Sequence, residues 1–499
     1  MRRDRLSGRT MCSLLWMFLI VWSVPAFSKE EITGATDSKI DSKSSGMEIL
    51  NMWGERPAET QELYRIISNV LSKRKDASFA DVAGNEEFQR VCAQYGVLHL
   101  GGPMLGCIGK NSARVWLRTT RPAKVEVRVI VEGVEKSFGP VESTPESDLT
   151  SVVTVTGLKP GTSHPYRVFV DGKQVTIPEH SAITTVSDDN KTRIAFGTCF
   201  HRWGLGNQKQ ADCIRSRAPA AMLIYGDIAV QDKLNHLGMH RADYQVRDFL
   251  PAWQSLCAAV PVCATWDDHD YFANDKSGIP LGYTDSDRAG VRKVFTQAWN
   301  NPSYGFNNQR GGVFLRTRIG PCDVIMLDNR YFRTGEKLGF LGNEQTEWLK
   351  EQLLDCKGPF IILSCGTMWS DFVSEGKDSW GKNDPAGREE IFRLIEENRI
   401  PGVLLISGDR HGACGFRIPR PSGYEFYEFE AACLGGRTGP ASRAASFPTC
   451  LYSFSGQYAF GEFSFDATKE DPEVAFRLIG ETGETLYALD LRRSQITPP

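Results

Sequence analysis

Six continuous apolar runs beyond Lys191 constrain the fold more than any other feature. They read "RIAFGTC", "AAMLIYGD", "VPVCATWDD", "DVIMLDNR", "FIILSCGT" and "GVLLISGDRH". None is long enough to span a bilayer, and none alternates as a half-exposed strand would. Each therefore predicts a strand buried on both faces. Helical patterns separate several of them. "NEQTEWLKEQLL" follows Gly342, and "AGREEIFRLIEENR" carries Ile391, Phe392, Leu394 and Ile395 on one stripe. Buried strands alternating with helices define an α/β sheet. The tail, from "GEFSFDA" through "EVAFRLIG" to "TLYALDL", alternates again and is expected to add antiparallel strands to that sheet. This α/β unit is assigned to residues 191–499.

Upstream the period differs. "ARVWLRT" and "KVEVRVIVEG" alternate, with Val125, Val127, Val129 and Val131 on one face. Two further strands lie in "SVVTVTGLKPGTSHPYRVFVDG", joined by a Pro-Gly turn. Short strands with regular turns predict an all-β sandwich over 96–190. Its "GLKPGT…YRVFV" segment resembles the turn region of a fibronectin type III module, which implies a scaffold. Before it, 29–95 reads as a polar leader (29–45) and a helical segment. Residues 57–74 place Leu63, Ile66, Ile67, Val70 and Leu71 on one stripe. Arg2, Arg3, Arg5 and Arg9 precede the apolar run Met11 to Val24 and the small-residue site "PAFSKEE". That is the pattern of a secretory signal over 1–28, cleaved after Ser28.

An exported protein meets oxidising conditions, where the twelve cysteines beyond Cys12 invite disulfide pairing. A metal-ligating cysteine would leave that count odd. Cys414 and Cys433, flanking the last apolar motif, read as a structural or disulfide pair. A net charge of -3 gives no case for nucleic acid as a partner.

The residues that end the six runs carry the chemistry. Cys199 follows the first, Asp227 the second, and Asp267-Asp268-His269 the third. Asp328-Asn329-Arg330, Ser364-Cys365 and Asp409-Arg410-His411 follow the rest. Carboxyl ends of strands are where α/β sheets bind ligands, so these groups are expected on one rim. Alone, an Asp after a strand is a helix cap and a Cys a core residue; convergence is what points to metal. Thiolate and imidazole suit Fe, Zn or Mn, and carboxylate and amide oxygens suit harder ions. The mixed set predicts two ions, bridged to clamp phosphoryl oxygens.

"FGTC", "LIYGD", "WDDHDYFAND", "LDNRYFR", "LGNEQTEWL" and "LLISGDRHG" stand in that order. Together they resemble the PhoD-like (alkaline phosphatase D) metallophosphoesterases, over about residues 98–465. The resemblance implies an α/β metallophosphatase core of mixed sheets with flanking helices behind the fibronectin-III-like sandwich. It implies Cys199 as thiolate ligand of an iron-like ion (Fe, or Zn or Mn), Asp227 as bridge, and Asn274, Asp409 and His411 completing the two sites. The second ion would be calcium-like. His269 would protonate the leaving alcohol, and Arg330 and Arg410 either grip the phosphate or pair with neighbouring carboxylates. Asp232, Asp268 and His201 are further candidates. One departure stands out: the family's tyrosine three residues past the bridging Asp is Val230 here, which cannot ligate.

The expected function is an exported hydrolase of phosphate mono- or diesters, working by in-line attack of a metal-bound hydroxide, as a monomer without a transmembrane span. The alternatives are a non-catalytic, metal-dependent binder of phosphorylated surface polymers and a phospholipid phosphodiesterase. The block Trp369 to Trp380 is expected to wall the substrate pocket.

Overall fold

Within the buried strands, alternation still decides which side chain meets which layer. In strand Cys322–Met326, Val324 and Met326 enter one core and Ile325 enters another. Strands Phe360–Ser364 and Val403–Ser407 divide likewise: Ile362, Leu404 and Ile406 go inward, and Ile361, Leu363, Val403 and Leu405 outward. The outward set packs under helices Gly342–Asp355 and Pro385–Glu397, through Leu349, Leu353, Ile391, Phe392 and Ile395. Both helices follow the predicted stripes. The second starts on Pro385, with Asp384 accepting from Gly387 N–H at its N-cap.

The computed structural model describes residues 43–187, 189–309, 311–335, 339–373, 377–431, 433–438 and 443–499. The expected signal segment and nearly all of the leader lie outside the described residues. All six apolar runs form strands, in two mixed sheets as the family resemblance implies, where the residue pattern by itself gave one. The first sheet has six strands, in the order Val262–Thr265, Ala221–Tyr225, Lys191–Gly197, Ala459–Asp466, Glu473–Gly480, Thr485–Arg492. Its first three strands are parallel, and the tail adds the antiparallel three, as predicted. The second sheet has seven strands and holds the other three runs as parallel neighbours. It begins with a hairpin, because Leu315–Ile319 pairs antiparallel with Cys322–Met326. Ring contacts join the two sheets face to face: Phe360 with Phe465 at 5.0 Å, Phe429 with Phe463 at 5.3 Å, and Tyr452 with Phe476 at 5.6 Å.

The region before the core is β-rich. Strands His99–Gly106, Ser112–Thr119 and Thr150–Thr156 form one antiparallel sheet. Strands Val134–Ser143, Ala123–Val131, Ser163–Val170 and Lys173–Gln174 form a second, and Ala182–Thr184 also pairs with Ser163–Val170. Val125, Val127, Val129 and Val131 are all buried, as the alternation requires. Among the described residues four helices precede the sheets. The second, Ala58–Ser72, buries Leu63, Ile66, Ile67, Val70 and Leu71.

Asp148 ties these parts together. Buried, it pairs with Arg118 at 3.4 Å and Arg241 at 3.0 Å, and it accepts from Phe79 N–H at 3.1 Å. Its partners come from the β-rich region, helix Leu237–Phe249 and the N-terminal helices respectively. Among the described residues no helix is long and apolar enough to cross a membrane.

Candidate metal centre

Each site residue lies on the loop that leaves a strand of one sheet or the other. Cys199, His201, Asp227, Asp232, Asp409 and His411 all hold left-handed backbone, with φ of 58°, 46°, 53°, 54°, 80° and 55°. That conformation is uncommon outside glycine, and its concentration in six site residues marks loops bent to aim side chains. Gly226 makes the approach possible. At φ 122°, a Cβ there would lie 2.4 Å from Cβ of Asp267.

Three overlapping groups of ligand atoms result, each with its atoms within 4.8 Å of one another: Cys199 with Asp227 and His411; Asp227 with Asp268 and His269; Asp267 with Asp268 and Asp409. Cys199 and Asp227 come from the first sheet and His411 and Asp409 from the second, so the centre sits where the two sheets' carboxyl edges meet. The Cys199 thiol lies 3.7 Å from Asp227 Oδ2, while Asp227 Oδ1 is buried with no hydrogen-bond partner.

The electrostatics invite a cation. Burial, reinforced by the negative charge of Asp227, pushes the Cys199 thiol well up. Burial likewise drives Asp227 up against the pull of His269, and Asp268, Asp267 and Asp270 add to the rise. Burial holds His411 down at about 3, so its imidazole is neutral and able to ligate. A soft thiol, a bridging carboxylate and a neutral imidazole are the donors an Fe, Zn or Mn ion takes, and the orphaned Asp227 oxygen lacks only that partner. The residues present fit a bound metal.

His269 is different. Burial opposes its charge, but Asp227, Asp232 and Asp268 outweigh it and raise the imidazole to about 10. Its Nδ1 lies 2.7 Å from Asp232 Oδ1 and 2.7 Å from Gln231 Nε2. Asp232 is therefore a partner of His269 here, and not a helix cap. His201 is buried with Nδ1 2.8 Å from Gln231 Oε1 and Nε2 3.4 Å from His411 Nδ1. Its ring stacks between His411, at 5.0 Å, and Trp203, at 4.7 Å. It thus braces His411 and stays outside the three groups.

For both arginines the geometry shows the ion-pair alternative. Arg330, buried, forks onto Asp267, with Nη2 3.0 Å from Oδ2 and Nε on Oδ1. Arg410 Nη1 lies 3.0 Å from Asp409 Oδ2. Asn274 is exposed beyond the short helix Asp268–Tyr271, and its amide donates to Asp275 Oδ2 at 2.7 Å. Asp270 is structural: its Oδ1 accepts from the backbone N–H groups of Ile228, Ala229 and Val230 at 3.1–3.2 Å, which fixes the loop after Asp227. Val230 packs in the hydrophobic core, away from the ligand atoms.

Two expectations are corrected. All twelve described cysteines are free. Cys414 donates to Glu430 at 2.9 Å and Cys433 to the Cys199 carbonyl at 3.2 Å, so the two do not pair. Of the block 369–380, Trp369 and Trp380 stack on each other at 4.9 Å in the core under the helices, while Lys377 between them reaches the candidate centre.

Sequence reasoning missed Gln231 and Lys377, and gave Asn329 a place at a strand end without a role. Gln231 spans two histidines. Lys377 reaches Asp409 Oδ1 at 2.6 Å from within the tryptophan block. Asn329 Oδ1 is buried and unpartnered; a Cβ on Gly366 would lie 3.0 Å from it and 2.9 Å from Asp267 Oδ1. The "LDNR" motif singled out Asn329's neighbourhood, but no spacing marks Gln231 or Lys377.

Comparison with known proteins gives the family and the fold. A family model described as PhoD-like phosphatase matches residues 221–476, and a second, a domain of unknown function (DUF7800), matches 98–187. The chain belongs to the PhoD-like phosphatase family. No curated protein matches it. Among solved structures it is similar to one titled "Structure of PhoD", at 17% identity and a TM-score of 0.60, covering 78% of this chain and 92% of that one. At that identity the likeness establishes the fold. The protein TT1561 of Thermus thermophilus, at 12% identity over 48% of this chain and 89% of that one, superposes with a TM-score of only 0.26 and carries no weight.

Proposed function

We propose that the protein is a metal-dependent hydrolase of phosphate mono- or diesters with two cation positions. Cys199, Asp227 and His411 would hold the softer ion, iron-like or Zn or Mn. Asp227 and the oxygen-rich group Asp267, Asp268 and Asp409 would hold a harder, calcium-like one. When bound, such ions supply Lewis acidity and activate water at neutral pH. His269, charged and braced by Asp232, holds a proton on its remaining ring nitrogen, Nε2, for the alcohol that leaves when water attacks phosphorus in line and the ester P–O bond breaks. Arg330 and Arg410 keep the acids in place and lend positive potential to the rim.

The observation that carries this reading is the junction of Cys199, Asp227 and His411 beside a charged His269, with Asp227 Oδ1 unpartnered. The test is metal analysis of purified protein together with hydrolysis of an aryl phosphate and an aryl phosphodiester. Bound metal and turnover of at least one ester are expected. No metal, and no turnover after Fe, Zn, Mn or Ca is supplied, would overturn the reading.

The chain is further proposed to divide into a signal (1–28), a leader and helical segment (29–95), a fibronectin-III-like scaffold (96–190) and the catalytic region (191–499), and to act outside the cytoplasm as a monomer. Strand order supports the scaffold: the first, second and fifth strands share one sheet, and the third, fourth and sixth the other. N-terminal sequencing of exported protein is expected to begin at Lys29.

A further inference from the structure

The two proposed cation positions differ in how their oxygens are engaged. In the first, Asp227 Oδ1 has no partner. In the three acids that belong to the second alone, Asp267, Asp268 and Asp409, every carboxylate oxygen has one. Asp267 is taken by the fork of Arg330. Asp268 accepts from His269 N–H at 2.9 Å and Asp275 N–H at 2.6 Å. Asp409 is held on Oδ1 by Lys377 at 2.6 Å and on Oδ2 by Arg410 at 3.0 Å. Three carboxylates thus face three cationic side chains, and the group is charge-balanced by the chain itself. One neutral donor is idle there, Asn329 Oδ1, aimed into the cradle beside Asp267 that Gly366 leaves open.

The three cations are not equal. Arg330 and Arg410 are locked by additional bonds, Arg410 to the Asp378 carbonyl and Arg330 to both oxygens of Asp267. Among the described residues Lys377 bonds to Asp409 alone, on a flexible stem, and is about one-fifth exposed. An ammonium is a compact point charge that a metal ion can replace without disturbing a fork.

We infer that Lys377 is the resident counter-cation of the second position, and that a divalent cation enters there by displacing its ammonium from Asp409. This rests on the two-position reading above. The first ion is then held permanently and the second exchangeably. Release of Lys377 when the second ion binds frees its charge for an anion at the rim, so the second ion and a phosphoester should favour each other's binding.

The experiment is calorimetric titration of Ca2+ and Mn2+ into protein already loaded at the first position, with metal content checked by mass spectrometry. Lys377→Gln should tighten the second ion by about tenfold or more, the consequence of removing one competing charge at close range. Lys377→Arg, which keeps the charge, should stay near wild type, and Asp268→Asn should weaken the second ion in either background. First-position metal content should not change in the Lys377 variants. Equal affinity in wild type and Lys377→Gln overturns the inference alone. Absence of a second ion from both proteins overturns the two-position reading and the inference with it.

Discussion

At the residue scale, Cys199 and His269 would divide the work of the centre under the proposed function. Cys199→Ser should lower retention of the softer ion while calcium binding persists, read by elemental analysis after dialysis. If the thiol is found oxidised in a disulfide in the native protein, the ligand role fails. His269→Asn should lower kcat by about 10²–10⁴-fold, the usual range for general acid-base catalysis. The loss should be larger for an alkyl phosphate than for a nitrophenyl ester, whose leaving group needs no proton. A uniform loss across leaving groups would assign His269 to holding Asp227 instead. Cys199, Asp227, Asp409 and His411 were legible because each closes an apolar run. Gln231 and Lys377 were not, because an amide between two histidines and a lysine reaching across a loop leave no periodic trace. For Asn274, five residues beyond a histidine fixes a spacing, but not the direction in which a loop turns its amide, which here donates to Asp275.

At the scale of elements, the loop after strand Ala221–Tyr225 is held from outside by Asp270. Asp270→Ala leaves three buried backbone N–H groups without an acceptor, so a loss of at least ~2 kcal/mol in stability is expected, with weaker metal retention. Asp270→Asn keeps Oδ1, the atom that takes all three, and should retain most of it; denaturant titration distinguishes the two. Helix Leu237–Phe249 makes a pH prediction through His240, buried with its imidazole held at about 4 by desolvation. Above pH 6.5 it is neutral folded and unfolded alike. Between 6.5 and about 4 the unfolded chain binds a proton the folded chain refuses, so stability falls as pH falls, by about 1.4 kcal/mol per pH unit. Below that the slope from this group ends. His240→Gln should flatten this part of the curve. The strands themselves were readable from composition and period; their division into two sheets was not. A buried apolar run looks the same whichever neighbour it pairs with, and the hairpin that founds the second sheet starts at the polar "LRTRI".

For the molecule as a whole, Asp148 is the joint to test. Replacing it with Ala strands Arg118 and Arg241 as buried, uncompensated charges, and breaking such a pair costs about 3–5 kcal/mol. Because the partners belong to three separate regions, one substitution should loosen the β-rich region, the N-terminal helices and the core together. Hydrogen exchange that rises only near residue 148 would show the regions to be independent.

The meeting of the two sheets at the metal centre has one more consequence. Cys199 and His411 stand far apart in sequence and on different sheets, so an ion gripping both is a clasp across the molecule's main seam. Such a clasp can close only after the sheets have docked, which makes loading a checkpoint at the end of folding. Once closed it resists reopening by an amount that grows with the free metal around it. The working lifetime of this protein against heat and proteases should therefore follow the mineral content of its surroundings.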